Sequence, residues 1–526
     1  MLKNARSTVP SLLTAGALAA AVALVPGAAV GAAPVVTNVQ VNKVFAGPFP
    51  TNKQNEPSLA QNPTNRLNLI AGSNDEIGEP SCTNTTPSSC PFVNGVSVSG
   101  FYASFDGGQT WPSRCQGLID LSAFGEFAFG DPAQAFDSRG NAYYGTLAFP
   151  NALTATPDEL ATGLQADFFV AKSTDGGCTY PSAARVSGTA PALFDDKDAI
   201  TADASPTSPF RDNVYAAWTK FSKQGIPGVG FDQIVFARST DGGATWSSPR
   251  PLSPAHNNNA VGGRQGAAVK VGPDGTVFVV WQDTVNTQAV QRLAISHDGG
   301  ATFPGPNITV ATVTDDFVNP VPGSSFRQDA RVFPSLTIAP NGTLYVAWAN
   351  RTGDPTNGHA VVQLVTSTDG GLTWSAPVTA GEVSGRSAFF ASVATDPSAT
   401  VNVAFLALDD VPTGTAPGAG VVHYDAYLTR STNGGASFSR PLKISTVTSD
   451  PDGSSTNGLG AQFLGDYITA VADTNHIFAV WTDSRNASPC AAVDAFRAGT
   501  APKPNVIRRC PTTFGNTDIV LGTITP

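Results

Sequence analysis

A chain of 526 residues with 52 glycines and 41 prolines is too long for one simple core, yet no linker or charge run divides it. Its net charge of −10 becomes −12 once Lys3 and Arg6, the two charged residues of the first 32, are subtracted. No basic stripe interleaved with aromatics is present, so nucleic acid and anionic membrane surfaces are poor candidates as partners.

Residues 1–32 read as a secretory signal. Lys3 and Arg6 precede an apolar stretch from Leu12 to Val25, and the small residues around Val30-Gly31-Ala32 suit a cleavage site. The stretch is too short and too rich in alanine for a permanent membrane span. The chain is therefore expected to be secreted, with 33–526 as a single extracellular domain. Val35 to Phe45 then alternates as a strand.

From Glu56 onward one unit recurs: a short apolar strand, a turn of Pro, Asn, Asp or Gly, then a strand rich in valine, tyrosine and tryptophan. Ala267 to Val271, Pro273-Asp274-Gly275 and Val277 to Trp281 form one example. Phe333 to Ala339, Pro340-Asn341-Gly342 and Leu344 to Trp348 form another. Such alternation about Asp-Gly or Asn-Gly is a strong hairpin signal. Seven units begin near Glu56, Asp131, Asp198, Arg264, Arg331, Phe389 and Asp466.

The pattern Ser-x-Asp-Gly-Gly-x-Thr-Trp, or a close variant, follows each of the first six. The copies are Ser104 to Trp111, Ser173 to Tyr180, Ser239 to Trp246, Ser296 to Phe303, Ser367 to Trp374 and Ser431 to Phe438. Each reads as a turn in which the acid accepts backbone N–H groups and the glycines allow positive φ. Repetition at this spacing marks a repeat protein. The seventh unit lacks the pattern, but Thr517 to Leu521 supplies its third strand, and Val35 to Phe45 is expected to supply the fourth, closing the ring without a free edge. No long segment holds a 3.6-residue apolar period. The expected fold is an all-β propeller of seven four-stranded antiparallel blades, or six if one unit belongs to an insertion. Residues 151–167 and 411–420 read as loop insertions.

Six cysteines fit an oxidising compartment. The repeat map favours Cys82 with Cys90 inside the first blade, Cys490 with Cys510 inside the seventh, and Cys115 with Cys178 between neighbours. Metal ligation is the competing reading, with no Cys-x-x-Cys pair or Cys/His cluster to support it.

Glu56, Asp131, Asp196, Asp198 and Asp466 all stand where inner strands begin, and in a propeller those starts converge on one mouth of the channel. Clustered carboxylates repel, so at least one should keep its proton and be able to act as a general acid. Two of them could flank a glycosidic bond. The same cluster could hold a structural Ca²⁺, or be tied up in salt bridges with Arg264, Arg327 or Arg331. No cofactor is required by this chemistry. The five histidines show no metal-ligand spacing, and no nucleophile elbow, P-loop or dinucleotide fingerprint is present.

The six turns resemble the Asp-box, or bacterial neuraminidase repeat, of sialidases and other secreted propellers, a superfamily that also includes xyloglucan-active glycosidases, sorting receptors and assembly factors. The resemblance implies a glycoside hydrolase of the exo-sialidase type acting on extracellular glycans or glycoproteins. Sialidases hold a substrate carboxylate with three arginines and use an aspartate acid/base and a tyrosine nucleophile activated by a glutamate. Carried onto this chain, Asp131 is the acid/base, Tyr467 the nucleophile, Glu382 its activator, and Arg264, Arg331 and Arg386 the anion clamp. Glu56, Asp198 and Asp466 would border the substrate. The family's first arginine motif is replaced here by Gln54-Asn55-Glu56-Pro57-Ser58, and nearby Arg66 lies in a turn. The alternatives are a non-catalytic propeller that binds glycans or proteins, and a two-carboxylate glycosidase acting on neutral polysaccharide. A monomer is expected in each case.

Overall fold

The β-branched and aromatic alternation folds as anticipated. Gln265–Val271 and Val277–Val285 pair across a turn whose Gly275 has φ of 86°, a conformation open to glycine at little cost. The computed structural model describes residues 33–43, 47–90, 92–152, 166–188, 194–222, 231–254, 264–285, 288–314, 326–327, 332–352, 359–409 and 422–526. The signal segment and most of both expected loop insertions lie outside them. Within the described residues, seven antiparallel sheets form the blades of a β-propeller, so the seven-blade expectation holds and the six-blade alternative falls.

The inner strands are Gln54–Gln61, Ala133–Phe136, Phe194–Ala202, Gln265–Val271, Ser335–Ile338, Ala388–Thr395 and Thr469–Ala472, for blades one to seven. Each touches the next, and the last touches the first. In blade seven, Val35–Gln40 pairs antiparallel with Asp518–Thr525, placing Val35 opposite Thr525. Both ends of the described chain are thus fastened into one sheet, and that sheet's outer edge comes from the N-terminal strand.

The repeated turns have one hydrogen-bond pattern. In the third, Ser239 Oγ donates to Asp241 Oδ1 at 2.7 Å, Thr245 N donates to the same oxygen at 2.9 Å, and Gly243 N donates to Ser239 Oγ at 2.8 Å. Asn433 fills the acid's place in the sixth, donating through Nδ2 to Ser437 Oγ at 2.8 Å. The second glycine also serves as a contact between blades. A Cβ on Gly177 would lie 2.2 Å from Ile70, and one on Gly108 would lie 2.3 Å from Leu521.

Between blades the core is aromatic and aliphatic. Trp218, Trp281, Trp348 and Trp481, at matching places on second strands, are almost completely buried. All three expected disulfides form. Cys115–Cys178 ties blade one to blade two. The other two join Phe49, Leu459, Val493, Val506 and Phe514 in a small apolar cluster that fastens the insertions of blades one and seven together. Among the described residues, no helix is long and apolar enough to cross a membrane.

Candidate functional site

Four inner strands have, at or just before their starts, a non-glycine residue in the left-handed region: Glu56 at φ 54°, Asp131 at 50°, Lys197 at 52° and Phe390 at 53°. Such residues cost on the order of 1–3 kcal/mol each and tend to occur at functional sites. Pairing with the second strand slips between Asn55 and Ser58 in blade one, and between Asp196 and Ala199 in blade three. These bulges re-aim side chains that a regular pleat would point into the sheet. Gly465, at φ 90°, lets blade seven approach closely, because a Cβ there would lie 2.6 Å from the Glu56 backbone nitrogen.

The side chains so released meet around Lys197. Its ammonium lies 2.6 Å from Asp466 Oδ2, 3.5 Å from Asp131 Oδ2 and 3.6 Å from Glu56 Oε1. The Lys197 backbone N–H donates to Asp131 Oδ2 at 3.0 Å. Asn74 braces two blades, donating to Glu56 Oε2 at 2.8 Å and accepting from the Asp131 N–H at 3.0 Å. Arg327 lies 3.8 Å from Asp466 Oδ2, with its guanidinium 4.4 Å above the Phe463 ring.

This charged layer separates two spaces. On one side lies a mouth pocket of about 220 Å³, lined by Glu56, Asp131, Asp196 and Arg327 and by Phe92, Phe129, Phe194 and Phe463. On the other is the channel, a cavity of about 570 Å³ between the inner strands. Lys197 borders both.

Burial and charge pull the carboxyls in opposite directions. Burial drives Glu56 well above the usual carboxylate range despite Lys197, and drives Asp198 well up too. Asp196 is raised to about 8, by burial first and against the pull of Lys197. Asp131 goes the other way. Burial opposes its charge, but Lys197 and hydrogen bonds from the Glu56 and Asp196 carboxyls hold it below the ordinary value. Lys197 is raised well above an ordinary lysine, because four acids outweigh its desolvation. Adjacent titratable groups pushed apart in this way can divide acid and base roles.

The structure brings Glu56, Asp131, Asp196, Asp198 and Asp466 together near Tyr467, as the strand starts implied. Tyr467 lines the channel, and the Lys197 ammonium lies 6.0 Å from its ring. Burial, followed by Asp131, Glu56, Asp198 and Asp466, pushes its phenol well above the usual value. The other expected residues pair elsewhere. Glu382 is 44% exposed, with Oε1 lying 3.0 Å from His359 Nε2. Arg264 pairs with Asp283 at 3.0 Å, and Arg386 with Asp409 at 3.4 Å. Arg331 lies outside the described residues. Among the described residues, no group of three or more His, Cys, Asp or Glu side chains is arranged to hold a metal ion. The Lys197 ammonium already sits at the centre that a Ca²⁺ would share.

Sequence reasoning anticipated Arg327 as an ion partner but missed Lys197 and Asn74. The run Asp195-Asp196-Lys197-Asp198 carried a signal for the first: a lysine flanked by acids at a strand start. Asn74 lies on the second strand of blade one, Leu69–Asp75, and nothing local marks it.

No family model matches the chain, and no curated relative does. Solved structures similar to it include a protein of unknown function from Dyadobacter fermentans, 16% identical with a TM-score of 0.43, the match covering 93% of this chain and 99% of that one. A Hadza microbial sialidase is 14% identical with a TM-score of 0.40, over 73% of this chain and 71% of the other. An α-L-arabinanase from Penicillium chrysogenum is 12% identical with a TM-score of 0.41, over 75% and 92%. Likeness this remote carries no argument about function.

Proposed function

We propose that the protein is a secreted glycoside hydrolase of the Asp-box propeller type, working on uncharged sugar through the carboxyl groups at its mouth. The observation that carries this reading is that Asp131 and Asp196 line one pocket with affinities for the proton driven apart. Asp196 holds its proton to about pH 8 and lends it in a hydrogen bond to Asp131, so it suits a general acid once a bound sugar's glycosidic oxygen takes Asp131's place as the acceptor of that proton. Asp131, kept anionic by Lys197, suits the stabilisation of positive charge developing on the sugar ring. Three disulfides and the N-terminal segment support secretion.

The exo-sialidase variant of this reading needs Tyr467 beside Glu382 and an arginine clamp. With Glu382 against His359, and Arg264 and Arg386 each paired to an aspartate, the geometry favours carboxylate chemistry over a tyrosine nucleophile. A second reading, a glycan-binding propeller without turnover, draws support from Lys197, which takes up part of Asp131's hydrogen-bonding capacity.

The test is a panel of fluorogenic neutral and sialyl glycosides offered to the mature protein and to Asp196→Asn and Asp131→Asn. Turnover of a neutral glycoside, falling by roughly 10²–10⁴-fold in Asp196→Asn, is the expected result. Turnover of the sialyl substrate alone, or neutral turnover indifferent to both variants, would sink the reading.

A further inference from the structure

Five phenylalanine rings stand in an unbroken contact row at the mouth. Ring centroids step 4.8 Å from Phe92 to Phe129, 4.7 Å to Phe149, 6.1 Å to Phe194 and 6.2 Å to Phe221. Phe92, 41% exposed, comes from the insertion of blade one. Phe149 lies near the end of Ala142–Pro150, and Phe194 at the start of an inner strand, opposite Phe221 on Val214–Ser222. Rings from three blades are therefore collected at one end of the propeller.

We propose that this row is the binding path for a neutral polysaccharide chain, which makes the substrate a polymer rather than a terminal sugar. The proposal rests on the mouth being a sugar site, because the row is continuous with it: Phe92, Phe129 and Phe194 line the pocket that contains Asp131 and Asp196. The rings differ from those of the core. Trp218 and Tyr215, in the same blade as Phe221, are fully buried, whereas all five rings of the row keep exposed surface. Rows of partly exposed apolar rings mark interaction surfaces. A pyranose offers an apolar C–H face on which an aromatic ring can stack, and phenylalanine, with two side-chain torsions, loses little freedom on binding. Neighbouring ring planes are inclined at 68°, 90°, 46° and 48°, so the row offers faces and edges in turn along one apolar path. The rings carry no charge, and the cation over Phe92, Lys53 at 5.8 Å, is neutralised by Glu76 at 2.5 Å, which suits an uncharged polymer.

The experiment uses Asp196→Asn to suppress turnover and measures, by calorimetry, binding of the hexasaccharides of xylose, glucose, mannose and arabinose and of the matching monosaccharides. Phe149→Ala and Phe221→Ala are made in that background, with thermal melting as the folding control and the exposed Phe92→Ala as a variant that leaves the sheets untouched. The expected result is that one hexasaccharide binds tighter than its monosaccharide. The Phe→Ala changes then weaken the hexasaccharide roughly three- to tenfold, and Phe221→Ala, at the far end of the row, leaves the monosaccharide unchanged. No hexasaccharide binding, hexasaccharide affinity no better than that of the monosaccharide, or affinity indifferent to all three Phe variants would overturn the proposal. A hexasaccharide bound through the row but not cleaved by wild-type protein would refute the hydrolase reading and leave the row standing. Cleavage of small glycosides without tighter hexasaccharide binding would do the reverse.

Discussion

Lys197 of blade three and Asp466 of blade seven meet at 2.6 Å across the top of the channel. The lysine is 6% exposed and Asp466 is 2% exposed, so this pair, with Asp131 and Glu56 beside it, cross-links three blade interfaces away from bulk water. Removing the cation leaves buried acids uncompensated.

Lys197→Met is therefore expected to lower stability by about 3 kcal/mol, the low end for a broken buried pair, because the acids can take up protons in response. Urea unfolding at neutral pH checks it. Because the Lys197 pKa is raised on folding, its contribution is fully present below an ordinary lysine value of about 10.4 and is lost as pH rises through the higher folded value. The wild type should accordingly lose stability at strongly alkaline pH more steeply than the variant.

Asp196 has the same sign in a different window. Folding raises its pKa to about 8, so the native state holds a proton that the unfolded chain releases above about pH 4. The stabilising contribution is complete below that value, declines with rising pH and is gone above about 8. Asp196→Asn should flatten the fall in thermal midpoint across this window. A midpoint profile parallel to wild type would refute the raised pKa.

Asp241 in the third repeated turn has the opposite sign. Slight burial works against its charge, but hydrogen bonds from Thr245 and Ser239 hold it at about 2. Its contribution is present above the ordinary aspartate value of about 3.9 and is lost as pH falls through about 2. By analogy with helix caps, Asp241→Ala should cost about 0.5–2 kcal/mol in chemical unfolding. Asp241→Asn should cost less, since Asn433 already serves the sixth turn.

The strand Val35–Gln40 closes blade seven and is further held where Asn38 Nδ2 donates to the Ile444 carbonyl at 2.9 Å. A chain begun at Lys43 would expose the Asp518–Thr525 edge. It should melt at a lower temperature and elute with aggregates in size-exclusion chromatography. A monomeric truncation with an unchanged midpoint would show that closure contributes nothing.

Blade number, closure and the three disulfides were readable along the chain because they rest on local chemistry. Alternation writes a strand, Asn-Gly or Asp-Gly writes a turn, and the repeat assigns each cysteine to a blade. Convergence of Glu56, Asp131, Asp196, Asp198 and Asp466 was readable for the same reason, since each lies close to the start of an inner strand. The partners of Glu382, Arg264 and Arg386 were not. An arginine before an inner strand looks the same in sequence whether it faces the mouth or turns to an aspartate such as Asp283 or Asp409.

The ring and the acids gathered at one end of it follow from local pattern, because strand periodicity and turn residues act over a few neighbours. The place of Lys197 among those acids, the anionic Asp131 beside a protonated Asp196, and the five phenylalanines from three blades aligned at the mouth arise only on folding. Those outcomes depend on desolvation and on charges separated by up to hundreds of residues along the chain, which no local pattern records.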